Sequence, residues 1–290
     1  MPISGWDLAA LLTKAATYAA TLSAAGNVFF VAYSDGLLQN PERTRIRRLL
    51  VASLAAAAIA SVATTLLLAA SMSGDIAGMF DSAFIGMLLR GGEGRASGVR
   101  IFGLACVFLA ILRPRHFQAP ALIGAILAAT SFAWSGHIHA LRPNTLPTLV
   151  LCLHLLGAAF WLGALAPLLA VTRYGNGAQI GLVASRFGKA ALGVVGTLVA
   201  AGAILLWILI RDASKFWSSN YGWMLAAKLV VVAALLGIAA LNKLYFTPRL
   251  LKGDARAVEG LKRSIRAEMI LGGLVMLITA TFTSITGPPH

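Results

Sequence analysis

The 290-residue chain is poor in acidic residues, with ten Asp and Glu against 24 Lys and Arg. These acids also avoid the centres of the long apolar runs: Glu42, Glu93, Asp212 and Glu259 fall in predicted loops, and Asp35 and Glu268 at predicted helix ends. Mg²⁺ and Ca²⁺ sites need oxygen ligands, and proton relays across membranes commonly use buried carboxylates. We therefore expect neither a cage for these cations nor a buried carboxylate relay.

Cysteine and the common nucleotide and protease motifs are also scarce or missing. The two cysteines, Cys106 and Cys152, lie inside apolar runs, so no disulfide framework is expected. The chain lacks a GxxxxGK[ST] loop, a GxGxxG turn after a strand and an HExxH helix. ATP-driven pumping, dinucleotide chemistry and zinc proteolysis therefore lack their usual parts, and we do not expect an enzyme.

Charged residues as a whole make up 12% of the chain, whereas hydrophobic residues make up 59% and the mean hydropathy is +0.82. This balance excludes an ordinary soluble domain and predicts an all-α integral membrane protein. The net charge of +14 is divided among short clusters between apolar runs, which argues against a nucleic-acid-binding face. The clusters instead indicate membrane topology and contacts with the lipid bilayer's anionic headgroups.

Eight stretches can form transmembrane helices, each of which needs about 20 apolar residues. Six are free of charge: 15–34, 49–74, 117–141, 143–172, 190–210 and 269–289. Two more hold one cation near an end, Arg100 in 96–112 and Lys228 in 216–242. The sequence thus predicts a bundle of eight transmembrane helices, in which Arg100 reaches the membrane surface or faces a polar interior.

Basic residues in the connections predict the orientation, because they favour the cytoplasmic side. The connections after the first, third, fifth and seventh predicted helices hold sixteen: Arg43, Arg45, Arg47, Arg48, Arg113, Arg115, Arg173, Arg186, Lys189, Lys243, Arg249, Lys252, Arg256, Lys262, Arg263 and Arg266. The opposite face has six: Arg90, Arg95, Arg100, Arg142, Arg211 and Lys215. Both termini are therefore expected on the outer side of the membrane.

The chain is expected to form a single transmembrane domain over residues 1–290. Each half opens its third helix with a glycine six residues before a cation, Gly94 before Arg100 and Gly222 before Lys228. That matched spacing is compatible with two related four-helix halves, whose interface would hold a site.

Three of the five histidines fall within residues 131–165. His137 and His139 end the fourth predicted helix, and His154 lies two turns into the fifth. A histidine at membrane depth is a functional hypothesis by default. The other thioether, thiol and amide side chains of the predicted interior are those of Met72, Met224, Met276, Cys106, Cys152, Asn27 and Asn242. Imidazole with thioether or thiolate suits copper best.

The predicted copper ligands are His137 and His154, with His139 or Met224 completing the outer end. His154 lies about 10 Å deeper than His137 if Pro147 marks the surface, so the two share one site or form successive stations. Two other functions stay open. Two histidines on neighbouring helices suit one b-type haem, and in a structural or assembly subunit the histidines would merely be packed.

Several motifs occur in order over residues 131–290. Trp134, Gly136 and His137 form one, and His154, Ala158, Trp161 and Gly163 form the next; Arg186-Phe187, Tyr221-Gly222 with Lys228, Asn242, Pro248, Glu268 and Pro288-Pro289 follow. Together they resemble the CopD family of copper resistance membrane proteins, with residues 131–290 as the family-like core. The chain departs at Ile138, Ala164 and Gly188, where the family has Ala, Gly and Ser, and His139 has no clear counterpart.

The resemblance implies an eight-helix inner-membrane protein that handles copper ions between periplasm and cytoplasm. It also implies a periplasmic copper carrier related to CopC as a partner. Import and resistance are both compatible with these motifs.

Overall fold

The computed structural model describes residues 5–112, 118–135, 145–209 and 220–284, and these contain helices and turns but no strand. The α-helices are α1 (Gly5–Ser34), α2 (Asn40–Ser73), α3 (Ser82–Arg90), α4 (Gly92–Leu112), α5 (Gln118–Thr130), α6 (Thr145–Leu162), α7 (Leu165–Tyr174), α8 (Gly177–Leu209), α9 (Asn220–Leu241), α10 (Thr247–Leu251) and α11 (Ala257–Ser284). Short 3₁₀ turns cover Asp35–Leu37, Ile76–Phe80 and Ser131–Trp134, and a π-helical turn covers Asn242–Phe246. The all-α membrane bundle is confirmed.

Seven helical spans in the described residues are long and apolar enough to cross a membrane. Three of them combine neighbouring elements: α1 with the turn Asp35–Leu37, α6 with α7, and α9 with the π-helical turn and α10. The fourth predicted helix corresponds to the shorter segment Gln118–Trp134, and its predicted end at 136–141 lies outside the described residues. Each of the eight predicted helices therefore has a helical counterpart.

One end of the bundle is organised around Glu42, which the sequence analysis placed in a loop. That placement is wrong, because Glu42 lies in the first turn of α2 and is 0% exposed. Its carboxylate accepts from the backbone N–H of Gln39 at 2.8 Å and from Gln179 Nε2 at 2.9 Å. Gln179 also donates to the carbonyl of Leu37 at 2.9 Å. These bonds join the α1–α2 turn to the start of α8.

Helices α1 and α6 meet at two glycines near the middle of the bundle. A Cβ on Gly163 would lie 2.9 Å from Gly26 Cα and 2.5 Å from the carbonyl oxygen of Ala159, and nearer still to that of Leu22. Small residues let helix backbones approach closely in a membrane. The helix is interrupted at Gly163–Ala164, between α6 and α7. Pro167 adds to the interruption because it has no N–H to bond the carbonyl four residues earlier.

The Arg100 helix forms in full as α4, and Arg100 takes the interior position that was one of its two predicted places. Its side chain is among the largest fully buried ones, with the residue 1% exposed. The guanidinium donates to Ser131 at 3.2 Å and Ser61 at 3.4 Å, and lies 4.2 Å from the Phe132 ring centroid. Contacts from α2 and from the Ser131–Trp134 turn therefore hold this cation inside the N-terminal half.

Candidate functional site

His154 lies in the middle of α6 and faces α8. Its Nδ1 is 3.1 Å from the carbonyl oxygen of Leu198, and Gly202, one turn further along α8, leaves the space in which the ring sits. Because a carbonyl can only accept, Nδ1 carries the hydrogen and Nε2 keeps its lone pair. Metal-binding histidines commonly donate their second ring N–H to such a carbonyl. The local geometry is therefore that of a neutral imidazole ready to bind a metal through Nε2.

Lys228 of α9 belongs to the same region, since its ammonium interacts electrostatically with the His154 ring. The side chain is partly buried, which agrees with the interior contact that was one of its two predicted positions. A lysine ammonium and a metal cation repel each other at close range. Charge on Lys228 and metal on His154 therefore oppose one another.

The structure describes only one of the three other predicted ligands. His137 and His139 lie outside the described residues. Met224 is partly buried in the second turn of α9, four residues before Lys228 and on the same helix face. Within the described ranges, no three His, Cys, Asp or Glu side chains come together as a metal cluster. The metal-site assignment to these four residues thus stays a prediction.

A buried polar centre surrounds Glu268, and the sequence analysis missed it. Glu268 was placed at a helix end, but α11 begins at Ala257, so Glu268 lies well inside the helix and is 3% exposed. Asn242 Nδ2 donates a hydrogen bond to its carboxyl group, and the Trp161 side chain lies beside it. The expectation that carboxylates avoid the helix interiors is therefore wrong at this position. The motif order that contains Trp161, Asn242 and Glu268 was the available signal.

A second polar pocket lies in the N-terminal half around Arg100. Its lining combines two cations, one carboxylate, hydroxyls and an aromatic ring: Lys14, Thr17, Tyr18, Thr64, Glu93, Arg100, Phe132 and Ser135. The Tyr18 and Phe132 rings pack edge to face, with centroids 4.6 Å apart. Sequence reasoning proposed an interior position only for Arg100, and it placed Glu93 in a loop, which is wrong because Glu93 lies in the first turn of α4. The partners of Arg100 become visible only when α1, α2 and α4 are packed together.

Comparison with known proteins agrees with the resemblance seen in the motifs. The family described as copper resistance protein D matches residues 181–282, and the copper resistance protein D-like N-terminal domain matches residues 5–142. His154 and Trp161 lie between the two matched ranges. No solved structure matches the chain.

A curated relative is the copper transport protein CutJ of Bacillus subtilis (strain 168), 27% identical over 181 residues. That alignment covers 60% of this chain and 32% of the relative, so the similarity extends over about a third of CutJ. The two family matches follow one another along the helical membrane bundle, and the relative agrees with them. The chain belongs to the CopD family of copper resistance proteins.

Proposed function

We propose that this protein is a non-enzymatic carrier that moves copper ions across the bacterial inner membrane. The observation that supports this most directly is His154, whose Nδ1–H is held by the Leu198 carbonyl while Nε2 keeps a lone pair at membrane depth. The printed name of CutJ, a copper transport protein, supports the same cargo. Copper is here the transported ion, and imidazole and thioether are ligands that it accepts well.

The proposed path begins with His137 and His139 and continues to His154. His154 is nine residues from Thr145, about 14 Å along α6 at 1.5 Å per residue. Met224 is the proposed thioether of the outer end, because it shares a face of α9 with Lys228, which interacts with the His154 ring. We place both termini in the periplasm, where a CopC-like copper carrier would deliver the ion.

Equilibrium Cu(I) and Cu(II) binding to the purified protein tests this proposal. His154→Ala and His137→Ala should each lower the amount of copper bound per protein, whereas His116→Ala, on the predicted cytoplasmic side, should not. Wild-type affinity should fall as pH drops, because protons compete for the same imidazole nitrogens. Unchanged stoichiometry and affinity in both outer variants would refute the site.

A subtler variant uses the space beside the His154 ring. A Cβ on Gly202 would lie 3.3 Å from His154 Cε1 and 3.5 Å from Nδ1, whereas one on Gly196 of the same helix meets nothing within 4 Å. Gly202→Ala should displace the His154 ring and lower the affinity for copper. The expected loss is roughly 10-fold or more, as is typical when a group that supports a metal ligand is disturbed. Gly196→Ala should leave it unchanged. A Soret band in the purified protein would favour haem, and no bound metal would favour a structural subunit.

A further inference from the structure

Glu268 has surroundings that differ from those of a paired structural acid. It lies eleven residues into the 28-residue helix α11, or about 17 Å along a helix of about 42 Å. The Asn242 amide that donates to its carboxyl and the Trp161 indole beside it are both neutral. An ionised carboxylate without a cationic partner is costly to keep at such depth in a membrane. The site therefore suits a carboxyl group that exchanges a proton.

Asn242 can serve Glu268 in both protonation states. Its Nδ2 donates to the carboxylate, while its Oδ1 is buried and makes no hydrogen bond within the described part of the chain. A rotated amide would present that oxygen to a protonated Glu268 as an acceptor, since the two ends of an amide have nearly the same shape. Asn242 also begins the π-helical turn, a feature common at functional sites.

Ser264 supplies a connection from Glu268 toward the inner end of α11. It precedes Glu268 by four residues, so the two side chains lie on one helix face about 5–6 Å apart. Ser264 is 8% exposed, and its Oγ is buried without a hydrogen-bond partner in the described structure. A hydroxyl can both accept and donate a proton through an intervening water. Two partnerless polar atoms, Asn242 Oδ1 and Ser264 Oγ, thus flank the carboxyl group.

The charged side chains on the elements around α11 interact with other groups or are exposed. Lys243 donates to the Gly188 carbonyl at 3.3 Å, Lys228 interacts with His154, Lys14 lines the N-terminal pocket, and Arg173 of α7 and Arg266 of α11 are exposed. Trp161 is seven residues, or about 10 Å, deeper than His154 along the same face of α6. The carboxyl centre therefore lies beyond the proposed copper station on the way inward.

We infer that Glu268 is a proton-binding site which takes up and releases one proton as copper passes, with Ser264 on its route to the inner face. In each cycle the carboxylate gains a proton from water at one face, giving a neutral acid, and returns it to water at the other. No electron is transferred, and the copper oxidation state is unchanged. This inference rests on the proposed function for its coupling to copper, but proton binding by Glu268 can be measured separately.

The first experiment needs no copper. Infrared difference spectra of the full-length protein in lipid vesicles are recorded as bulk pH is changed. The wild type should show a protonated-carboxyl band that titrates, and Glu268→Gln should lose it while keeping an oxygen for Asn242 and Trp161. Glu259→Gln is the matched control, because Glu259 is on the same helix but pairs with Lys262 at the surface. An identical band in wild type and Glu268→Gln overturns the inference.

The second experiment adds Cu(I) to vesicles that contain a pH-sensitive dye. Wild type and Glu259→Gln should show a copper-dependent change in internal pH, and Ser264→Ala should slow it severalfold. Glu268→Gln should reduce the change to the protein-free background while binding copper normally. Copper entry without proton movement in the wild type overturns the coupling but leaves the proposed function standing. Failure of the wild type to bind copper would instead refute the proposed function, and the infrared result would then decide proton binding alone.

Discussion

Replacing Gly163 by alanine tests a close backbone contact between α1 and the end of α6. The new Cβ would lie 2.9 Å from Gly26 Cα and 2.5 Å from the carbonyl oxygen of Ala159, well inside van der Waals contact. These are backbone atoms, so the clash cannot be relieved by a side-chain rotation. Helices α1 and α6 must separate, or the interruption after Leu162 must rearrange.

The expected cost follows from two opposing effects. Overpacking a tight interface costs about 1–3 kcal/mol, with the upper end appropriate here because the neighbours are backbone. Alanine returns up to about 1 kcal/mol through its better helix propensity, although Gly163 lies at a helix interruption where that gain is smaller. The net destabilisation should be about 2 kcal/mol, roughly a 30-fold shift in the folding equilibrium.

Gly237→Ala is the matched control for this substitution. Gly237 lies inside α9, and a Cβ there meets nothing within 4 Å, so the same chemical change should be neutral or stabilising by up to about 1 kcal/mol. Reversible unfolding in detergent micelles, followed by tryptophan fluorescence, gives both values. If the two variants unfold at the same denaturant concentration, the close approach of α1 and α6 does not determine stability as argued.

Two further predictions concern the buried cation and the orientation. Arg100→Lys should destabilise the protein by about 1–3 kcal/mol in thermal unfolding, because an ammonium cannot bond both serines while stacking on the Phe132 ring. Arg90→Lys, at an exposed arginine, is the control and should change the stability by less than about 0.5 kcal/mol. Equal effects of the two substitutions would contradict the interior role of Arg100. In a chain lacking both native cysteines, Ser82→Cys should react with an impermeant maleimide from outside intact cells and Ala255→Cys only after permeabilisation. Labelling of both from outside would overturn the orientation.

The transmembrane helices could be predicted because their length and lack of charge are local properties. The position of Glu268 could not, since the counted charge-free run begins only after it, at residue 269, and Lys262, Arg263 and Arg266 lie close before it. In the structure α11 starts twelve residues earlier than that run and places Arg263 and Arg266 on its exposed side while burying Glu268. Counting charge-free residues therefore measures the lipid-facing length of a helix but underestimates the part that packs within the protein.

The shared spacing of Arg100 and Lys228 was visible in the sequence, but their different surroundings were not. Arg100 contacts two serines and an aromatic ring, which satisfy it within the N-terminal half. Lys228 instead interacts with His154, a titratable group and the proposed copper ligand. Such partners come from helices far apart in the chain, so only packing distinguishes a structural cation from one beside the candidate site. The proposed relation between the two halves stays a prediction.

The scarcity of acidic residues gives the two buried glutamates of the described chain different meanings. Glu42 lies at the N-terminal end of α2, where backbone N–H groups and the helix dipole favour a negative charge, and it accepts from Gln39 and Gln179. Glu268 has no helix end beside it, and the side chains next to its carboxyl group, Asn242 and Trp161, are neutral. The hydrogen bonds of Glu42 hold the α1–α2 turn against α8. At Glu268 a permanent negative charge would be energetically costly, and protonation removes that cost. We therefore assign proton uptake and release to Glu268 and not to Glu42.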